Sequence, residues 1–220
     1  YMFPQNPRLI EIMMDGSKIG QNRDITAGIV GDTKAILRQI IDELKIRAYK
    51  SPGRGWVEEV MTEDAALKAA DTDMLNSDST PIHPMRLVGD LADVLDEDAT
   101  VIGDGGYIVT IAARVLKINK PGHWLDPGQF GCLGAGSGFA AAAQLARPGK
   151  QVAIVYGDGG FGLTGFDVES YVRHGLPIVS IVGNNGAWNQ TTQGVLKRTG
   201  RAIGTYLNQE VDYAKIMDAM

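Results

Sequence analysis

Two apolar runs, residues 151–156 and 178–182, each lead into a short polar sequence: Gly157-Asp158-Gly159 after the first, Gly183-Asn184-Asn185 after the second. Between them, residues 165–174 read as one amphipathic helix with Phe166, Val168, Tyr171 and Val172 as its apolar positions. A strand–helix–strand unit of this kind crosses over right-handed, which makes its two strands parallel. If the strands are neighbours, their carboxyl ends lie about 4.8 Å apart. Asp158 and Asn185, 27 positions apart in the chain, then emerge side by side. Ligand sites of open parallel sheets lie along that edge. One carboxylate and one amide oxygen there form a hard-oxygen, incomplete coordination sphere. Magnesium prefers such a sphere, with phosphate oxygens and water in the remaining positions.

The run Gly157-Asp158-Gly159-Gly160-Phe161-Gly162 also satisfies the Gly-x-Gly-x-x-Gly dinucleotide fingerprint. That fingerprint calls for an acidic residue at the end of the next strand, where it meets the ribose hydroxyls. Here the next strand ends Gly183-Asn184-Asn185, and the carboxylate occupies the turn itself. A glycine turn with no ligand is the third reading of these residues, and the balance favours a metal with phosphate oxygens over both.

Gly-Asp-Gly followed at this distance by Asn-Asn resembles the metal–diphosphate motif of thiamine diphosphate (ThDP) enzymes. The resemblance runs from about Val101 to Ala202 and includes, in the family's order, Asp104-Gly105-Gly106, then 124–138, then the metal motif. Within that superfamily the chain is most similar to acetolactate synthase-like enzymes and 2-hydroxyacyl-CoA lyases. The resemblance implies an α/β fold, a parallel sheet flanked by helices, preceded by the end of a Rossmann-like central domain. It implies Asp158 and Asn185 as side-chain ligands of Mg2+ and the Ala187 carbonyl as the third protein ligand. Gly157, Gly159 and Gly160 would meet the diphosphate, with Gly105, Gly106 and Tyr107 touching it from the other side. Gly131 and Leu133 would orient the cofactor: the Gly131 carbonyl accepts from its aminopyrimidine, and Leu133 wedges between its two rings. Gln129, Phe130, Trp188 and Gln190, with Asn189, fall where relatives contact substrate. Cys132 is expected to face away and pack as a small apolar side chain, since nothing nearby would activate a thiolate.

At 44% hydrophobic and 21% charged, the composition is that of a soluble globular protein. A formal charge of −5, without a clustered basic face, argues against a nucleic-acid partner. Lys197-Arg198 with Arg201 reads as a solvated loop. Cys132 is the only cysteine, so no disulfide within the chain is possible and a reducing, cytoplasmic setting is expected. No apolar stretch approaches the roughly 20 residues that span a bilayer, and the first residues carry no secretory pattern.

The chain divides on this reading into residues 1–45, the end of the central domain; 46–80, a linker with a helix over 58–70; and 81–220, the ThDP- and Mg-binding domain. In the first part, 8–14 alternates like a strand, 15–32 is a turn-rich connection and 35–44 is helical. Relatives carry a nucleotide there, the ADP of CoA or an FAD, but at Asp15 and Arg23 a capped turn and a solvated side chain are the better reading. His83, before a proline, marks a domain edge. Beyond it helices are expected over 86–95, 107–116, 136–145 and 213–220, with a strand at 100–102. Both ends look cut, which suggests a portion of a longer protein.

The resemblance implies an enzyme whose cofactor supplies the reactive carbon, and whose activating glutamate comes from the partner subunit of a homodimer or homotetramer. The activity expected is that of a 2-hydroxyacyl-CoA lyase, releasing formyl-CoA and an aldehyde or ketone, or its reverse condensation. An acetolactate synthase-like carboligase acting on 2-oxoacids is the alternative. A noncatalytic nucleotide-binding module is the third reading.

Overall fold

The computed structural model describes residues 7–220. Two units divide the chain between Ala65 and Ala66. In the first, β1 (Ile10–Met13) and β2 (Ala27–Val30) pair in parallel, Ile10 opposite Ala27, and α1 (Thr33–Ile46) follows. Asp32 starts α1 by accepting the Ala35 amide at 2.8 Å. Within the stretch expected to be turns alone, the structure therefore has a second strand. Four residues with few large apolar side chains carry too little pattern to announce β2, and pairing with β1 decides it. Asp15 accepts from the Ser17 amide and hydroxyl, so it caps a local 3-10 turn as expected. Helix α2 (Gly55–Ala70) spans the division.

The second unit continues with α3 (Thr72–Leu75), α4 (Pro84–Val94), β3 (Thr100–Asp104), α5 (Tyr107–Val115), β4 (Trp124–Leu125), α6 (Gly136–Ala146) and β5 (Val152–Gly157). It ends with α7 (Asp158–Thr164), α8 (Val168–Arg173), β6 (Ile178–Gly183), α9 (Asn189–Thr199) and α10 (Tyr213–Asp218). His83 caps α4, its Nδ1 accepting the Met85 amide at 3.2 Å. Bidentate hydrogen bonds of 2.7 Å from Arg114 to the buried Asp71 tie α5 to the start of α3.

The sheet is wholly parallel, in the order β4-β3-β5-β6. Successive residues of β3 and β5 face opposite sides, as a pleat requires. Val101 and Val155 join Met85, Val88 and Leu91 of α4 and Ile108 and Ile111 of α5 on one face. Ile102, Ile154 and Tyr156 join Ala140 of α6, Phe161 of α7 and Val168 and Tyr171 of α8 on the other. Burial on both faces explains why 151–156 is a continuous apolar run rather than an alternating one. Each fully buried aliphatic side chain of β5 contributes about 1.5–3 kcal/mol relative to exposure.

The expected single crossover helix over 165–174 is corrected. Between β5 and β6 the chain forms α7, a 3-10 turn at Gly165–Asp167, and then α8. Val168 and Tyr171 are buried, but Phe166 is 82% exposed and Val172 60%. The break follows from packing. A Cβ at Gly165 would lie 2.5 Å from the Phe161 ring, so the two helical pieces close around that aromatic side chain. Periodicity misses α7 because four of its seven residues after β5 are glycine or aspartate, which carry no apolar stripe. The expected loop at Lys197-Arg198 is also corrected. Both residues are exposed, as expected, but they occupy the last turn of α9, where cations favour the helix carbonyls.

At the amino edge of the sheet, Asp98 gathers Lys120, Arg147 and Lys150, each 2.9 Å from its carboxylate. Hydrogen bonds from Lys120 and Lys150 hold the Asp98 carboxyl well below the usual carboxylate range. A carboxyl with a lowered folded pKa stabilises the fold above its unfolded pKa and loses that effect as pH falls through the folded value. The melting temperature of Asp98→Asn is therefore expected to lie below that of the unaltered protein at about pH 7, with the gap narrowing below about pH 4. A gap that widens in acid would contradict this assignment.

Candidate functional site

In the sheet order, β4 lies on one side of β3 and β5 on the other, so the winding reverses between β3 and β5. The loops after these two strands leave in opposite directions and open a crevice outside their carboxyl ends. A cleft of about 320 Å³ lies there, within the usual range for a small-molecule site.

Three chain segments form its polar wall. After β3, Gly105, Gly106 and Tyr107 line it; after β5, Gly157 to Gly160; after β6, Asn185, Ala187, Trp188 and Gln190. Gly131 and Leu133 contribute the fourth side. Asn189, Ile108, Thr191 and Gly183 complete the lining.

Asp158 begins α7 and is 3% exposed. Its carboxylate accepts the Gly159 amide at 2.8 Å through Oδ1 and the Ala187 amide at 3.1 Å through Oδ2. The second bond links β5 to the loop after β6, and register sets it up: Gly157 lies directly opposite Gly183. Asn185 opens into the cleft with an exposed side chain. The Ala187 carbonyl accepts from the Asn189 amide at 2.8 Å and keeps a second lone pair. Asn184 serves structure instead. Its Nδ2 donates to the Gln209 and Val211 carbonyls and its Oδ1 accepts the Gly186 amide.

Small residues bring the backbone close. A Cβ at Gly105, whose φ is +150°, would lie 2.6 Å from the Gly157 nitrogen. A Cβ at Gly159 would meet the Trp188 ring at 2.7 Å. Behind the site, Tyr156, Phe161 and Tyr213 stack edge to face at 5.4 and 5.2 Å. Burial pushes the Tyr156 phenol far above its ordinary range, so it stays neutral and hydrogen-bonds Ser137 at 2.8 Å. Burial, and then the charge of Asp158, raise that of Tyr213.

Two expectations about this region are corrected. Gln129 and Phe130 do not line the cleft. They sit in the 3-10 turn Gly128–Phe130, closed by the Gly131 amide donating to the Gly128 carbonyl, and Phe130 is 86% exposed. Cys132 does not pack as a core side chain. It is exposed on a loop that runs along the surface with Gly131. Sequence reading underrated Asp104, whose buried carboxylate accepts the Gly134 and Gly136 amides. No local signal marks such a contact, because its donors lie 30 and 32 residues away.

Among the described residues, no three His, Cys, Asp or Glu side chains gather as a metal site. A divalent cation here would use one carboxylate, one amide and one carbonyl, a hard-oxygen set that leaves room for phosphate oxygens. The glycine turns and the cleft volume fit a diphosphate-bearing cofactor.

Fold and cleft define a class: a parallel α/β domain with a glycine-lined ligand site at its switch point. The family model for the thiamine pyrophosphate enzyme C-terminal TPP-binding domain matches residues 102–220. The chain belongs to that family. It is 36% identical over 198 residues to a probable acetolactate synthase of Mycobacterium bovis, covering 90% of this chain and 35% of that protein. It is 31% identical over 216 residues to 2-hydroxyacyl-CoA lyase 2 of Danio rerio, covering 96% and 34%. The human 2-hydroxyacyl-CoA lyase 2 is 29% identical over 191 residues, covering 85% and 29%. The chain thus spans about a third of the length of the curated relatives it matches.

Gly105→Ala is expected to lower stability by about 1–3 kcal/mol, because the new methyl meets backbone that cannot move aside. An unchanged urea midpoint would contradict the contact.

Proposed function

We propose that this domain holds thiamine diphosphate through Mg2+ and serves an enzyme that cleaves or forms carbon–carbon bonds. The observation that carries this reading is the convergence of Asp158, Asn185, Ala187, both glycine turns and Leu133 on one cleft. When bound, the cofactor supplies a nucleophilic thiazolium carbon and an electron sink. Asp158, Asn185 and the Ala187 carbonyl hold the cation. Amides near Gly159 and Gly160 face the diphosphate. Leu133 keeps the cofactor bent, and the Gly131 carbonyl fixes its aminopyrimidine. Tyr107, Trp188 and Gln190 border the space left for substrate.

For the whole protein we infer a 2-hydroxyacyl-CoA lyase activity, which the names of the Danio rerio and human relatives support. The 36% identity to the Mycobacterium bovis protein favours the second reading, an acetolactate synthase-like carboligase. Both use this cofactor site equally well, so selection between them rests on the substrate side. A homodimer or homotetramer, with the activating glutamate supplied across the interface, completes the proposal.

The site is tested with the full-length protein and isothermal calorimetry. Binding of thiamine diphosphate is expected to require Mg2+ and to fall at least about 100-fold in Asp158→Ala, the loss of a charged ligand costing several kcal/mol. Equal binding with and without Mg2+, or by the variant, would overturn the metal role. Substrate class is decided by product analysis with pyruvate and with a 2-hydroxyacyl-CoA. Formyl-CoA release supports the lyase, and acetolactate alone supports the carboligase.

A further inference from the structure

Leu133 reaches the cleft from a loop that its own sequence does little to order. The loop enters through Gly131 at φ +57° and leaves through Gly134 at φ +84°. Helix α6 follows at once, and the residue at its start, Ala135, has no side chain able to cap it. A first helical turn of this kind leaves amide groups without partners. Here one of them, at Gly136, and the loop amide just before the helix, at Gly134, are satisfied from a distance. The Asp104 carboxylate, 1% exposed, accepts the Gly134 amide at 2.9 Å through Oδ1 and the Gly136 amide at 2.8 Å through Oδ2.

Space around this contact is tight. A Cβ at Gly136 would lie 2.4 Å from the Asp104 Cβ, and one at Gly160 would lie 2.7 Å from the Asp104 carbonyl oxygen. Asp104 therefore touches both the Leu133 loop and the turn that carries Asp158. On the far side, the Ser137 hydroxyl bonds the Thr164 hydroxyl at 3.0 Å, so the loop's exit is held to α7 as well. A buried carboxylate loses its hydration, and charge-assisted amide bonds aimed at both oxygens compensate for that loss. Neither bond runs to a group that the proposed cofactor or cation needs. We propose that Asp104 is a positioning residue: its carboxylate holds the Gly131–Gly134 loop in the shape that presents Leu133 to the cofactor. The inference rests on the thiamine diphosphate reading above and assigns the loop's geometry to one side chain on another strand.

The test uses full-length protein loaded with thiamine diphosphate and Mg2+. Two quantities are measured: the dissociation constant by calorimetry and the rate of hydrogen–deuterium exchange at the thiazolium C2 by quenched-flow NMR. Asp104→Asn keeps the shape but sets an amide donor against one of the two N–H groups. Exchange is expected to slow about 10–100-fold while the dissociation constant changes less than about fivefold, as for a misplaced rather than unbound reactant. In combination with Leu133→Ala, the Asn variant is expected to slow exchange little beyond the single Leu133→Ala change, because one loop carries both effects. Additive slowing, or exchange at the unaltered rate, would overturn the positioning role while leaving the cofactor reading intact. Failure of the unaltered protein to bind thiamine diphosphate would overturn both. If Asp104→Asn does not fold, amide exchange in the unaltered apoprotein decides. Protected Gly134 and Gly136 amides support the clamp, and free exchange at both refutes it.

Discussion

The structure depends on the pairing of β5 with its two neighbours in one parallel register. Residues Val152 to Tyr156 are at most 1% exposed, with apolar side chains covered on both faces. A strand so placed cannot slip, since a shift of one residue would exchange its two faces. Its carboxyl end is therefore held in place, and Asp158 begins α7 directly beyond it. The same register sets Gly157 against Gly183 and lets the Asp158 carboxylate meet the Ala187 amide. Core packing thereby aligns two loops that are far apart in sequence.

The two edges of the sheet do different work. At the amino edge, Asp98 collects three cations from two segments and needs no space for a ligand. At the carboxyl edge, glycine replaces side chains and leaves a cleft. Two carboxylates there have separate tasks. Asp104 points back into the protein and satisfies amides of the loop bearing Leu133. Asp158 borders the cleft, and its oxygens keep lone pairs beyond the two amide bonds. Membership of the thiamine pyrophosphate enzyme family fits this division, because a diphosphate needs approachable backbone as much as it needs charge.

Much of the site was legible before the structure. The Gly-Asp-Gly and Asn-Asn sequences follow strands that periodicity finds, and a right-handed crossover permits one arrangement of them. What periodicity could not show is helix built from glycine, as in α7, or the short strands β2 and β4. Gln129 and Phe130 were misplaced for a related reason. Adjacency to Gly131 in sequence says nothing about direction once the backbone enters the left-handed region.

Sequence alone determined the parallel α/β class, the strand ends that carry polar residues, and the chemistry available there, because each follows from local pattern and chain connectivity. Tertiary structure decided which side chains share the cleft, which loop faces away from it, and what Asp104 holds. Those outcomes depend on contacts between residues some 30 positions apart, whose energies no local window contains.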